Sequence, residues 1–210
     1  IFRYRVNFKS PDGYGCQSWL FAGCRNVETD VHMEVKQFRY ITVEDNVDTD
    51  FVNWSRIYEY PLVLETIHKY FKGLPTPTIH NTAWGWEGDH ITFRDKLNEI
   101  GVCTHTDVRG PVYYNIAEPW EGKLFDIVIN ISTLEELSIE KQEVAFKNLY
   151  KQVKKGGLLL ITADMPGLNL EKIVDKHCLK EGVLINGNNS VIKNSEYGHL
   201  NVIFLCIRKV

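Results

Sequence analysis

An α/β fold is the architecture this sequence predicts, with a mostly parallel sheet covered by helices on both faces. From residue 77 onward, apolar runs of strand length alternate with runs of helical period. The alternation ends in two strands with no helix between them, which places an antiparallel pair on one edge of the sheet. Gly101 and the pair Gly156-Gly157 stop helices just before strands.

Residues 1–50 read as an arm or lobe with some β structure and as a candidate acceptor-binding element. Residues 2–8 and 38–43 are short β-like runs, and Ser10-Pro-Asp-Gly-Tyr-Gly15 is a turn. Within residues 51–71, Ile57, Leu62, Leu64, Ile67 and Tyr70 recur at helical spacing, and Pro61 either starts a second helix or kinks the first. Gly73-Leu-Pro-Thr-Pro77 then forces an extended lead into the next element.

The regular part follows. The sequence predicts strands at residues 78–83, 102–106, 112–116, 125–131 and 158–163, with helices at 89–100, 138–153 and 168–178. Strands near 183–185 and 201–208 close the chain, separated by a polar loop rich in Gly and Asn. The domain proper is expected to span residues 51–210.

Composition narrows the function. Hydrophobic residues at 44% and charged residues at 24% are those of an ordinary globular protein. A net charge of -3 argues against nucleic acid as a partner, and no apolar run approaches the roughly 20 residues of a membrane span. The five cysteines are widely spaced, with no C-x-x-C pair, which favours reduced thiols, a cytoplasmic setting and no structural metal. The start at Ile1 suggests a domain of a longer protein.

Pro77-Thr-Ile-His-Asn-Thr-Ala-Trp-Gly-Trp-Glu-Gly-Asp-His90 reads as a strand, a small-residue turn and a helix start. In parallel α/β sheets such a joint holds a nucleotide-like cofactor, because helix-start N–H groups and a closely approaching backbone meet there.

Four stretches carry a family resemblance: Phe125-Asp-Ile-Val-Ile-Asn-Ile-Ser-Thr-Leu-Glu135, Lys154-Lys-Gly-Gly-Leu-Leu-Leu-Ile-Thr162, Val202-Ile-Phe-Leu-Cys-Ile-Arg-Lys209 and Ser55-Arg-Ile-Tyr-Glu-Tyr-Pro61. The first three resemble the fourth strand with its acidic turn, the Gly-Gly turn into the fifth strand, and the antiparallel last strand of class I S-adenosylmethionine-dependent methyltransferases. The fourth resembles a helix preceding the domain in methyltransferases of sugar and polysaccharide pathways. The resemblance implies a Rossmann-like sheet of seven strands, mostly parallel, with the last antiparallel. It also implies S-adenosylmethionine as cofactor. The turn departs from the family pattern: Ala83 stands at the first glycine place, Gly85 at the second, Glu87 or Gly88 at the third, and Asn81 at the acidic place.

Carried over by position, the resemblance implies that Asn81, Thr82, Ala83, Trp84 and Gly85 border the methionine part of the cofactor. Asp107 would accept from the ribose hydroxyls, Asn115 and Ile116 would meet the adenine, and Tyr58 with Glu59 would close over the site from the N-terminal helix. Base candidates for methyl transfer are Glu135 and Glu136 after the fourth strand, His90 by the turn and Asp164 after the fifth strand. Each has a plainer role: Glu135 and Glu136 favour a helix start, His90 caps one, and Asp164 organises a turn.

Ten Trp and Tyr residues near the expected site (Tyr14, Trp19, Trp54, Tyr58, Tyr60, Trp84, Trp86, Tyr113, Tyr114 and Trp120) suit either a sugar ring or an ordinary core. The reading that results is an O-methyltransferase acting on a hydroxyl of a sugar or glycan, within a larger glycan-assembly protein. Three alternatives stay open: a small-metabolite or protein acceptor, a catalytically inactive methyltransferase-like scaffold, and a nicotinamide-dependent oxidoreductase. The last is disfavoured by the absence of G-x-G-x-x-G.

Overall fold

The computed structural model describes residues 2–7, 17–22, 40–41, 50–51, 55–85, 88–165, 167–169, 182–184, 190–194 and 200–209. The turn expected at 10–15, the residues Trp86 and Glu87, and the helix at 168–178 beyond Asn169 lie outside them.

Strand β1 (Phe2–Asn7) pairs antiparallel with β2 (Gln17–Ala22) in a sheet of its own. Strand β3 (Tyr40–Ile41) belongs to the main sheet. Helix α1 (Arg56–Phe71) runs through Pro61 without a break. The proline costs the helix one N–H bond, which is offset by burying Tyr58, Tyr60, Leu62, Val63 and Ile67. The helix ends where Lys72 N–H reaches the His68 carbonyl and Gly73 turns the chain at φ 77°.

Next come β4 (Thr78–Asn81), α2 (Asp89–Ile100), β5 (Val102–His105) and β6 (Phe125–Ile131). A 3-10 turn (Leu134–Glu136), α3 (Ile139–Gln152) and β7 (Val153–Met165) follow. Strands β8 (Gly182–Leu184), β9 (Ser190–Asn194) and β10 (Leu200–Lys209) complete the chain.

The sheet order is β3-β9-β10-β7-β6-β4-β5, and β8 also pairs with β10. Among the described residues five strands make its body: β5, β4, β6 and β7 run parallel, and β10 lies antiparallel to β7. This corrects the seven expected. The strand expected at residues 112–116 is reduced to one parallel bridge between Tyr113 and Asp107. The cause is chain length. A parallel crossover needs about a dozen residues, and only residues 108–112 separate the two bridge partners. The late antiparallel pair forms as expected between β8 and β10, and β9 arises from the Gly/Asn-rich segment.

Alternation along the strands builds two cores. Ile79, Ile127, Ile129, Leu158, Leu160, Val202 and Phe204 face α1 and α2, meeting Tyr60, Ile67, Phe93 and Leu97. Val128, Leu159, Ile161, Ala163, Ile203 and Leu205 face α3, meeting Phe146, Leu149 and Tyr150. Helices therefore cover both faces, and the carboxyl ends of β4, β5, β6 and β7 open along one edge, where α/β sheets hold their ligands.

Candidate functional site

The turn after β4 is held by its own polar atoms. The Asn81 amide accepts from Ala83 N–H at 3.3 Å and lies 3.4 Å from His105 Nδ1, so it is used within the turn. Thr82 Oγ1 donates to the Ile129 carbonyl at 2.9 Å and accepts from Asn130 Nδ2 at 3.0 Å, which ties the turn to β6. Trp84 N–H reaches the Thr106 carbonyl at 3.2 Å, tying it to the end of β5. Gly85 takes φ 63°, and a Cβ there would lie 2.2 Å from the His90 ring, so glycine is required on both counts.

His90 packs under this turn rather than into an open cleft. Tyr60 is buried, its phenol is pushed to a higher pKa by that burial, and its O–H hydrogen-bonds His90 Nδ1. Burial lowers the His90 pKa, which favours the neutral ring. Tyr60 in turn stacks on Phe93, with ring centroids 4.0 Å apart.

At the end of β5, Asp107 Oδ1 accepts from Arg109 N–H at 3.0 Å, while no hydrogen bond occupies Oδ2 among the described residues. A carboxylate oxygen is therefore left for a diol. The other adenosine-side candidates are turned elsewhere. Asn115 bonds Glu118 Oε1 and Ala117 N–H, and Ile116 is buried against the α3-side core with its carbonyl taken by Asn148. Tyr58 is buried in the core beneath α1.

A dense polar cluster lies at the ends of β6 and β7. Glu59, fully buried on α1, accepts at Oε2 from Ser55 (2.7 Å) and Arg56, and at Oε1 from Ser132 and Thr162, both at 2.5 Å. Ser132 is the one non-glycine residue with positive φ (40°) among the described residues, a strained conformation of the kind that collects at functional sites. Three residues on, Glu135 Oε1 accepts from Asp164 N–H at 2.9 Å. Glu135 Oε2 and Asp164 Oδ1 are buried without a hydrogen-bond partner among the described residues. Burial first, then the neighbouring charges of Asp164 and Glu59, push the Glu135 carboxyl up to about 7. Burial and Glu59 raise Asp164 as well. Glu136, beside them in sequence, is exposed.

Glu135 and Asp164 are thus brought together, whereas Glu136 faces solvent and the Nδ1 of His90 is committed to Tyr60. Gln142 of α3 fixes the floor of the pair by donating to the Gly167 carbonyl at 2.8 Å and accepting from Asn169 N–H. Gln142, and Arg94 of α2, which donates to the Trp84 and Gly85 carbonyls, are not among the site residues expected from the sequence. A polar residue inside an apolar helical stripe is the signal for Gln142; Arg94 left none. Among the described residues, no group of His, Cys, Asp or Glu side chains is arranged to hold a metal ion, and no helix is long and apolar enough to cross a membrane.

A sheet of this order with helices on both faces is the Rossmann-like fold of S-adenosylmethionine-dependent methyltransferases. The chain is similar in structure to the 1,6-didemethyltoxoflavin-N1-methyltransferase of Burkholderia thailandensis, solved with 1,6-didemethyltoxoflavin and S-adenosylhomocysteine. The TM-score is 0.54 at 11% identity, covering 73% of this chain and 79% of that one. It is also similar to TehB of Haemophilus influenzae, with TM-score 0.52 at 16% identity, covering 74% of this chain and 65% of that one. The sugar N-methyltransferase KedS8 of Streptoalloteichus sp ATCC 53650 matches over 49% of this chain with TM-score 0.40 and 15% identity. This chain spans 46% of the KedS8 chain, less than half of its length. At these identities the likeness is one of fold. No protein-family model matches the chain, and no curated protein matches it.

Proposed function

We infer that the chain is an S-adenosylmethionine-dependent methyltransferase that methylates a hydroxyl of a sugar or glycan. The observation that supports this reading is the Glu135–Asp164 pair, two carboxyl groups with buried unpartnered oxygens at the carboxyl edge of the sheet. The residues fit the cofactor: a turn of small residues (Thr82, Ala83, Gly85) lies on the same carboxyl edge of the sheet, and Asp107 keeps an oxygen for a diol. When bound, the cofactor supplies a methyl group on a sulfonium centre that is already electrophilic. The protein's part is alignment and proton removal.

Glu135, with its carboxyl near 7, would receive the proton that the acceptor hydroxyl gives up on taking the methyl group, the bonding pair of the broken methyl–sulfur bond staying on the cofactor's sulfur, and Asp164 holds Glu135 in place through its backbone N–H. The strained Ser132 and the buried Glu59 fix the two strand ends that carry this pair. The carbohydrate acceptor rests on the resemblance of residues 55–61 to a helix of sugar-pathway methyltransferases. Several aromatic residues that suited a sugar face belong to the core instead, including Tyr58, Tyr60 and Tyr114. Under a scaffold reading Trp84 and Trp86 would fill the cleft; the Trp84 ring lies against the Arg94 guanidinium of α2, and Trp86 lies outside the described residues.

Calorimetric titration with S-adenosylmethionine and S-adenosylhomocysteine tests the reading, beside an Asp107→Ala variant. Binding that the variant loses supports the cofactor assignment and turns the search to hydroxyl acceptors of the sugar class. Absence of binding by the wild-type chain overturns it in favour of the scaffold.

A further inference from the structure

We propose that Arg94 is a positioning residue that holds the 81–85 turn in its ligand-binding shape and, through the turn, sets cofactor affinity. The second half of this inference rests on the methyltransferase reading above; the first half does not.

The turn carries Ala83 and Trp84 where a looser, glycine-richer chain would follow the same path at less steric cost. Something must therefore fix the path. One terminal nitrogen of Arg94 donates to two successive carbonyls of the turn, Trp84 O at 2.6 Å and Gly85 O at 2.8 Å. The central carbon of the same guanidinium lies over the Trp84 indole, 4.2 Å from its centroid. Both contacts draw residues 84 and 85 toward α2.

The opposing constraints come from the other side of the turn. Trp84 N–H is held on the Thr106 carbonyl at the end of β5, and Ala83 N–H on the Asn81 side chain. On the α2 side, with Arg94, Gly85 at φ 63° rests against the His90 ring with no room for a Cβ. The turn is thus clamped between β5 and α2, and Arg94 supplies the hydrogen bonds on the α2 side of the clamp. A charged donor shared by two carbonyls is stronger than a neutral hydrogen bond, and the flat guanidinium matches the indole face as no ammonium does. A ligand whose backbone contacts depend on this turn gains from having its shape fixed beforehand.

The test compares wild type with Arg94→Met, which keeps the aliphatic stem, and Arg94→Lys, which keeps charge and donors but loses the plane. Two readouts are taken: hydrogen exchange at the amides of residues 82–85, and the affinity for S-adenosylhomocysteine by calorimetry. Thermal melting confirms that each variant is folded. The expected order is wild type, then Lys, then Met. In Arg94→Met, turn amides exchange about tenfold faster or more, and affinity falls by about tenfold or more.

A merely space-filling role would leave Arg94→Met like wild type, and unchanged exchange with unchanged affinity overturns the proposal. If the turn loosens while affinity stays the same, the link to binding is overturned. If wild-type protein binds no S-adenosylhomocysteine, it is the methyltransferase reading that fails. The clamp is then judged on exchange alone: faster turn exchange in Arg94→Met upholds it, and unchanged exchange ends it.

Discussion

The Thr162 hydroxyl at the end of β7 donates to Glu59 Oε1 at 2.5 Å, joining a buried carboxylate on α1 to the far side of the sheet's carboxyl edge. Through its four donors Glu59 connects the helix start, β6 and β7 in one buried junction. A buried charge of this kind is tolerated because its partners are complete, and removing it strands the rest.

Glu59→Ala is therefore expected to destabilise the fold by about 3–5 kcal/mol, since it leaves Arg56 without its counter-charge in a largely buried setting. Glu59→Gln keeps an acceptor for the two hydroxyls and should cost less, about 1–3 kcal/mol. Urea unfolding of the two variants measures both. Equal and small losses would show that the junction does not hold the sheet ends together.

On the proposed methyltransferase reading, the raised carboxyl of Glu135 sets a pH profile for the reaction. A base must be ionised to accept a proton, so the rate should rise with pH and level off above the titration near 7. Glu135→Gln should remove that limb and lower the rate by about 10²–10⁴. Because the Asp164 charge is one of the influences raising Glu135, Asp164→Asn should move the limb to lower pH. Initial rates from pH 5 to 9 with a hydroxyl acceptor decide; a limb that Glu135→Gln leaves in place assigns the base elsewhere.

A second titration acts on stability. His80 is fully buried, with Nδ1 on Gln152 Oε1 at 2.6 Å and Nε2 on Thr106 Oγ1 at 2.9 Å, and burial lowers its pKa from 6.5 to about 4. The unfolded chain binds this proton more readily, so stability is full above about 6.5 and is lost as pH falls toward 4, by on the order of 3 kcal/mol. Glu135 works the other way. Its pKa is raised from 4.5 to about 7, so its folded form holds the proton more tightly and stability drops as pH rises through that range. The two partly cancel in wild type. In Glu135→Gln the His80 effect should stand alone, and denaturant midpoints between pH 5 and 7 should fall more steeply with acid than in wild type. A flat profile in that variant would remove His80 as the buried neutral group.

What was legible in the sequence follows from which forces are local. Helix α2 and strand β6 match their expected bounds because Gly88 and Gly101 flank the one and an unbroken apolar run makes the other. The sheet's third parallel strand was misjudged because an apolar run at residues 112–116 satisfies the strand pattern, whereas the short 108–112 link, a tertiary constraint, forbids the crossover. The carboxyl candidates were visible as residues at strand ends, but their roles depend on burial. Glu135 and its neighbour Glu136 look alike in sequence, and only packing makes one a buried group and the other a solvated one. Arg94 was invisible for a similar reason, since an arginine on the outer part of a helix becomes a clamp only when a loop ten residues earlier folds onto it.

The contact between Gly85 and His90 supplies the last prediction, and it separates two sources of strain. An alanine at position 85 must adopt φ near 63°, which costs about 1–2 kcal/mol for an L residue. Its Cβ would also sit 2.2 Å from His90 Cγ, an overlap that the turn must relieve by moving, at a further cost of about 1–3 kcal/mol. Gly85→Ala should therefore lose the sum of the two. In a His90→Ala background the overlap is gone, and the same glycine substitution should cost only the backbone part. The double-mutant cycle in urea thus gives a coupling equal to the overlap cost. Full additivity would mean that the His90 ring does not pack under the turn, and the link from Tyr60 through His90 to Gly85 would then not support the 81–85 turn.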